Sequence, residues 1–227
     1  MSSKQQNTEK KERKGPISFD ITLSEEQKEA KRIVLDNDIS VIRGKAGSGK
    51  TLLACQIALD LFFTKEQSKI IIARPAVTAG EDLGFLPGDK DAKLLEFMMP
   101  VLDNIHQLYG NTLAKRDKIA KHILNKDIEI SSIGHLRGKT FLNAIIIVDE
   151  SQNLTESQME MVLTRLGKGS KMILTGDLRQ KDITKNSGLQ KLMSIIDKIP
   201  TLVLIDLKDN HRHDIIKLIL DAWEITE

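Results

Sequence analysis

The sequence predicts an α/β protein in which a mostly parallel sheet carries helices on both faces. Short apolar runs alternate with longer segments of mixed polarity from Gly15 onward, a pattern typical of βαβ units. The apolar runs are predicted to form buried strands at 39–42, 69–73, 144–148, 171–174 and 202–205, with a weaker sixth strand at 128–130. Helices are predicted at 24–36, 51–63, 92–109, 113–124, 157–165, 189–198 and 213–223. Ser24 followed by Gln27 fits a capping box, which fixes the start of the first helix.

Composition favours a soluble protein with one globular domain over residues 16–227. Of the 227 residues, 40% are hydrophobic and 29% are charged, and no apolar run approaches the roughly 20 residues that a membrane span needs. The first residues lack the apolar stretch of a secretory signal, and Cys55 is the only cysteine. We therefore expect a cytoplasmic protein with no membrane partner.

The net charge of +2 is unevenly distributed. Residues 1–14 contain five Lys or Arg and two Glu, which leaves about −1 on the rest of the chain. Residues 1–15 are therefore predicted to form a basic disordered arm, with a binding element as the alternative. The body of the chain is not basic, so charge alone does not indicate nucleic acid.

Residues 44–51 read Gly-Lys-Ala-Gly-Ser-Gly-Lys-Thr, which matches the G-x-x-x-x-G-K-[ST] pattern of a P-loop. The loop joins a predicted strand to a predicted helix, as the pattern requires. The glycines let backbone N–H groups approach a triphosphate where a Cβ would clash. Lys50 can reach the β and γ phosphates of ATP, and the Thr51 hydroxyl can ligate Mg²⁺. The predicted nucleotide-binding residues of the loop are Gly44, Lys45, Ala46, Gly47, Ser48, Gly49, Lys50 and Thr51.

Two adjacent carboxylates follow the apolar strand at 144–148, where open α/β sheets bind their ligands. This pattern is a Walker B motif. Asp149 is predicted to hold the magnesium through water, and Glu150 to orient and deprotonate the attacking water. The alternative is that the two acids form the first turn of a helix. Because kinases of small molecules usually need no such glutamate, the pair favours a hydrolase over a phosphotransferase.

Two glutamines are further candidates for the site. Gln180 follows another buried strand, and its neutral amide suits contact with both the γ-phosphate and the lytic water. The alternative for residues 175–177 and their neighbours is an ordinary Thr-Gly-Asp turn. Gln27 is predicted to be either a surface residue of the first helix or a residue that reads the adenine edge.

Taken in order, these segments resemble the PhoH-like, phosphate-starvation-inducible ATPases, a family similar to the first motor domain of superfamily 1 helicases. The most specific segment is residues 73–89, Ala-Arg-Pro-Ala-Val-Thr-Ala-Gly-Glu-Asp-Leu-Gly-Phe-Leu-Pro-Gly-Asp. Further segments follow in family order at 136–140, 148–153, 175–182 and 187–189. The resemblance implies a RecA-like P-loop NTPase fold, ATP and Mg²⁺ as cofactors, and an RNA-directed, helicase-like activity.

This chain departs from the family pattern at a few positions. Lys139 and Ser151 replace the usual Arg and Ala, and Glu96-Phe97 stands where the family has Pro-Tyr. Residues 209–213 look like the family's Val-Arg-His segment, so the resemblance assigns Arg212 a role near a γ-phosphate. One motor domain is an incomplete helicase, because strand displacement needs two elements that move relative to each other. We therefore expect a homo-oligomeric ring, a hexamer, with Arg212 acting across the subunit boundary.

Three functions remain open at this point: a motor on RNA or single-stranded DNA, an ATP-switched module that regulates a protein partner, and a phosphotransferase. The sequence offers hints of nucleic-acid binding in the arm, in Arg74 and in the basic run of Lys115, Arg116, Lys118 and Lys121. That run is also typical of a solvated helix face. Aromatic residues make up only 4% of the chain, which favours tracking of the nucleic-acid backbone over base stacking.

Overall fold

The computed structural model describes residues 17–75, 90–184 and 186–209, together with His211, Ile215, Ile219 and Ala222. Its six strands form one sheet in the order β3-β2-β4-β5-β1-β6, and every pairing is parallel. The strands are β1 (Ile39–Gly44), β2 (Lys69–Arg74), β3 (Ile128–Ser132), β4 (Ala144–Val148), β5 (Lys171–Gly176) and β6 (Leu202–Leu207). All six predicted strands are therefore confirmed.

The described helices connect these strands. They are α1 (Glu25–Asp36), α2 (Lys50–Phe63), α3 (Lys90–Tyr109), α4 (Leu113–Leu124), α5 (Glu156–Leu163) and α6 (Gly188–Met193). Short 3₁₀ turns follow β3, β4, β5 and α6 at Ile133–Leu136, Ser151–Asn153, Leu178–Gln180 and Ile196–Lys198. No helix in these ranges is both long enough and apolar enough to cross a bilayer.

The predicted helices at 24–36, 51–63, 92–109, 113–124 and 157–165 are confirmed, the last of them as α5. The predicted helix at 189–198 is shorter than predicted. Helix α6 ends at Met193, and only a 3₁₀ turn follows it, because Ile195 leaves helical geometry with φ −115° and ψ 2°. The capping box of α1 is present: the Ser24 hydroxyl accepts from the Gln27 N–H at 3.3 Å, and Gln27 Oε1 accepts from the Ser24 N–H at 3.2 Å. Most of the predicted helix at 213–223, and the arm at 1–15, lie outside the described residues.

Helices cover both faces of the sheet, as predicted. Alternate residues of a strand point to opposite faces, so neighbours along β1, β2 and β4 enter different apolar layers. Ile42, Ile70 and Ile145 pack with helices α1 to α4, whereas Val41 and Ile71 pack with α5 and α6. Because both layers are almost fully buried, the sheet holds the carboxyl ends of its strands in fixed positions.

The contact between α5 and α6 depends on Gly188. A Cβ at this position would lie 2.4 Å from the Cβ of Met159 and 2.7 Å from the carbonyl oxygen of Thr155. We expect Gly188→Ala to lower the free energy of unfolding by about 1–3 kcal/mol, the usual cost of overpacking a close contact. Urea denaturation measures this change.

Gly134→Ala is the matched control, since the nearest atom to a Cβ there lies at 4.0 Å. This variant should unfold at nearly the urea concentration of the unmodified protein. Equal stability of the Gly188 and Gly134 variants would contradict the proposed close contact.

Candidate active site

The P-loop joins the end of β1 to the start of α2. Gly47 and Gly49 have φ values of 87° and 78°, a region that side chains rarely adopt. No side chain caps α2, so the first N–H groups of this 14-residue helix remain available to an anion. Lys50 Nζ donates to the carbonyl oxygens of Gly44 at 2.8 Å and Lys45 at 3.0 Å, which holds the ammonium over the loop.

The glycines of the P-loop also allow neighbouring elements to pack closely against it. A Cβ on Gly44 would lie 2.5 Å from the carbonyl oxygen of Leu207 at the end of β6. A Cβ on Gly49 would lie 2.6 Å from Gln27 Nε2. Close approach of β6 and α1 therefore requires glycine at these two positions in addition to any contact with phosphate.

Gln27 lies against the P-loop and is not a surface residue. Its side chain is 4% exposed, and Nε2 donates to the carbonyl oxygen of Ser48 at 3.4 Å. Ser48 is itself buried, Ala46 is half-buried and Lys45 is exposed. The alternative of a surface residue is thereby wrong for Gln27, while recognition of adenine stays a prediction.

Asp149 brings the second motif into contact with the first. Its side chain is buried, and Oδ1 accepts from the Thr51 hydroxyl at 2.8 Å and from the Thr175 hydroxyl at 2.5 Å. Hydroxyl and carboxylate oxygens are ligands that Mg²⁺ prefers, with phosphate oxygens and waters completing its shell. The described residues contain no group of three or more His, Cys, Asp or Glu that could hold a metal without such help. The pair of Thr51 and Asp149 fits Mg²⁺ bound together with a triphosphate.

Glu150 occupies an unusual backbone conformation. Its φ of 55° and ψ of 38° are left-handed, which costs a non-glycine residue on the order of 1–3 kcal/mol. It follows Asp149 at the end of β4 and directly precedes the 3₁₀ turn Ser151–Asn153. The acids thus lead into a short turn, and their role as a Walker B pair stays a prediction. The carboxylate is 38% exposed, against 5% for that of Asp149, and is therefore accessible to water.

Gln152 is a residue of the site that sequence reasoning missed. Its side chain is 1% exposed, and Nε2 donates to Glu150 Oε2 at 2.7 Å and to the carbonyl oxygen of Gln180 at 3.2 Å. The same amide accepts from the Asp177 N–H at 3.2 Å. Gln152 thus ties Glu150 to the turn after β5. Its position in the sequence, two residues after Glu150, is the feature that could have identified it as part of the site.

The Gln180 side chain is not the group that makes this connection. Gln180 is exposed at the end of the 3₁₀ turn Leu178–Gln180, and it joins the network through its backbone carbonyl. Contact of its side chain with a γ-phosphate stays a prediction. Arg212 lies outside the described residues, although the N–H of the preceding His211 donates to the Gly47 carbonyl at 3.0 Å.

Arg74 is a second residue whose place the sequence did not show. It ends β2, beside β4, and its Nε lies 3.4 Å from Asp149 Oδ2. A terminal guanidinium nitrogen lies 3.5 Å from Glu150 Oε1. Arg74 was noted only as a possible contact for nucleic acid, because the sequence cannot show that β2 and β4 are neighbours.

Two other titratable groups near the loop have shifted pKa values. Burial in α2, with a smaller effect from the charge of Asp149, raises the pKa of the Cys55 thiol, so this cysteine stays protonated and unreactive. The pKa of Arg43 is raised by its hydrogen bond to Asp206, which joins the carboxyl ends of β1 and β6.

Comparison with known proteins supports the resemblance noted in the sequence. The family model described as PhoH-like protein matches residues 21–224. A PhoH-like protein of Synechocystis sp. is 38% identical over 205 residues, covering 88% of this chain and 61% of the relative. A PhoH-like protein of Bacillus subtilis is 40% identical over 193 residues, covering 83% of this chain and 59% of the relative. The chain thus spans about three fifths of the length of these two relatives.

The fold also occurs among solved structures. The SWI2/SNF2 ATPase core of Sulfolobus solfataricus, solved in complex with double-stranded DNA, superposes with a TM-score of 0.51 at 14% identity. The match covers 90% of this chain and 48% of that chain. At this level of identity the likeness shows the fold, and it agrees with the predicted RecA-like P-loop architecture.

Proposed function

The chain belongs to the PhoH-like protein family, and we propose that it hydrolyses ATP with Mg²⁺ and couples this turnover to RNA or single-stranded DNA. The observation that carries the proposal is the 2.8 Å hydrogen bond between Thr51 of the P-loop and Asp149 after β4. This contact brings the two parts of a metal–triphosphate site together. Lys50, held over the same loop, supplies the positive charge for the β and γ phosphates.

The roles of the residues follow from their surroundings. Thr51 and the buried Asp149 would hold Mg²⁺, which neutralises charge on the phosphates when it is bound. Glu150 is the more exposed acid, and it would orient a water and accept its proton. Gln152 would keep the Glu150 carboxylate aimed at that water. A base of this kind supports hydrolysis in preference to transfer of phosphate to a small molecule.

Nucleic acid would be bound mainly through its phosphates. The aromatic rings of Phe62, Phe63 and Tyr109 pack with one another or with His122, so they offer little free surface for bases. Lys118 lies 4.3 Å from the centre of the Phe63 ring, and Lys115 lies 5.0 Å from that of Tyr109. These two lysines therefore cover an aromatic cluster, and the basic run on α4 is largely a structural feature.

A better candidate surface for phosphates lies at the carboxyl end of β3. A cleft of about 330 Å³ there is lined by the turn after β3, including exposed Arg137, and by Ser157, Gln158 and Met161 of α5. Gly138 has a φ of 79° with open space around it, so the backbone of a bound strand could approach closely. Both the cleft and the P-loop lie at the carboxyl ends of the parallel strands.

Binding of a single strand should weaken steeply as salt is raised. Each phosphate neutralised by the protein contributes a slope of about −0.7 to the plot of log affinity against log salt. We expect Arg137→Ala to make this slope less steep by the contribution of about one phosphate. Lys168→Ala, at the amino end of β5, should leave the slope unchanged. Fluorescence anisotropy with labelled oligonucleotides at several salt concentrations measures the slopes, and an affinity independent of salt would contradict phosphate-driven binding.

The decisive experiment measures the rate of ATP hydrolysis with and without single-stranded RNA and DNA. Stimulation by either polymer supports the motor, and its preference identifies the substrate. Hydrolysis that neither polymer changes would favour the ATP-switched module that regulates a protein partner.

We further propose that the working form is a homo-oligomeric ring. The described sheet provides one wall of a motor's ATP site, and a second copy could supply the other wall.

A further inference from the structure

Arg74 contacts both acids of the proposed metal–ATP site. We propose that Arg74 is a positioning residue that holds Asp149 and Glu150 in a resting arrangement and competes with Mg²⁺ for Asp149. The inference rests on the proposed function. Its basis is the pair of ion contacts at 3.4 Å and 3.5 Å, made by one guanidinium to two neighbouring carboxylates.

The fold fixes Arg74 in this position. β2 pairs with β4 in a register that places Ala73 opposite Val148, and the Asp149 N–H donates to the Ala73 carbonyl at 2.9 Å. The residue after Ala73 therefore lies beside the residue after Val148. The Arg74 side chain is only 15% exposed, so its guanidinium is held among the acids and not in solvent.

In each of the two acids, one carboxylate oxygen accepts hydrogen bonds and the other faces Arg74. Asp149 Oδ1 accepts from Thr51 and Thr175, and Arg74 approaches Oδ2. Glu150 Oε2 accepts from Gln152, and Arg74 approaches Oε1. Arg74 thus lies beside the second oxygen of each acid, within the distance of an ion pair. A carboxylate held in this way is a poorer metal ligand and a poorer acceptor for the proton of a water.

Magnesium and Arg74 would therefore oppose each other at Asp149. Both are cations that seek the same buried carboxylate, and two cations side by side repel strongly where little water screens them. Binding of the metal with ATP would repel Arg74 and loosen its contact with Asp149, and this shift would at the same time loosen its contact with Glu150. Through its two contacts, Arg74 would make the ability of Glu150 to accept a proton depend on whether the metal site is occupied.

The test measures metal binding directly. Mn²⁺, which takes the same oxygen ligands, is titrated in the presence of a non-hydrolysable ATP analogue and followed by electron paramagnetic resonance. We expect Arg74→Met, which keeps the apolar stem and removes the charge, to bind Mn²⁺ about tenfold more tightly than the unmodified protein. Arg74→Lys keeps the charge and should restore nearly the original affinity.

Arg43→Met is the matched control. Arg43 also lies near the carboxyl end of a strand and forms an ion pair, but it is more exposed than Arg74 and its partner is Asp206. Its Mn²⁺ affinity should not change. Thermal unfolding verifies that each variant is folded, and Arg74→Gln is measured in parallel as a polar replacement of similar length.

Each outcome has a distinct meaning. Equal or weaker Mn²⁺ binding by folded Arg74→Met and Arg74→Gln would overturn the competition, because Arg74 would then be neutral toward the metal or support it. If the unmodified protein binds neither the analogue nor Mn²⁺, the proposed ATPase function itself fails. If both Arg74 replacements fail to fold, Arg74 is primarily a structural counter-ion and the proposal is overturned.

Discussion

Glu150→Gln is expected to bind ATP normally and to hydrolyse it about 10²–10⁴-fold more slowly, the usual contribution of a general base. The amide keeps the shape of the side chain and its link to Gln152, but it cannot accept a proton from water. Lys50→Ala should act differently and lose nucleotide binding, because the ammonium above the loop is the point charge for the phosphates. The two variants thus separate binding from chemistry.

Binding is measured with a fluorescent ATP analogue, and hydrolysis by release of phosphate under single-turnover conditions. Glu160→Gln is the matched control, since Glu160 is an exposed acid on α5, and it should retain full activity. Normal turnover by Glu150→Gln would show that another group activates the water. Retained nucleotide affinity in Lys50→Ala would mean that the backbone amides of the loop suffice.

Most of the fold could be predicted because its strands are buried on both faces. A strand such as Ala144–Val148 is apolar at every position, and this uninterrupted run distinguishes it from the neighbouring helices. The start of α1 was equally clear, because Ser24 and Gln27 satisfy its first N–H groups. The end of α6 was not, since no glycine or proline marks the change to a 3₁₀ turn after Met193.

The local parts of the site could also be predicted, but its long-range pairs could not. The P-loop is one continuous segment, so its pattern alone identifies Lys50 and Thr51. The partners of Asp149 and Glu150 depend on sheet order, because β2 and β5 lie on either side of β4. Arg74 and Thr175 therefore meet the acids only once the strands are arranged.

The two departures from the family pattern next to these motifs have partners in the structure. The Ser151 hydroxyl donates to the carbonyl oxygen of Thr175 at 2.8 Å, and the Thr175 hydroxyl donates in turn to Asp149. Lys139 forms an ion pair with Glu129 on β3. Each replacement is thus accommodated by a neighbour, and neither introduces a charge next to the P-loop.

Mixing two inactive variants should restore part of the activity if the protein works as a ring. Arg212→Ala and Lys50→Ala subunits are each expected to be inactive, the first because an arginine supplied across a boundary contributes about 10³–10⁵ in rate. In a mixed ring, some boundaries join an intact P-loop to an intact arginine, and those sites can turn over.

The rate of ATP hydrolysis is measured over a range of mixing ratios, with assembly followed by light scattering. Activity should be greatest near equal amounts of the two variants and should fall on dilution as rings dissociate. Glu150→Gln mixed with Lys50→Ala is the control, because both changes lie in the same half of the site and no boundary regains a complete P-loop, base and metal site. A mixture that assembles yet stays inactive, or an Arg212→Ala protein that is fully active alone, would show that Arg212 does not act in trans. Arg212 would then be better explained as a helix-start residue that pairs with a neighbouring aspartate.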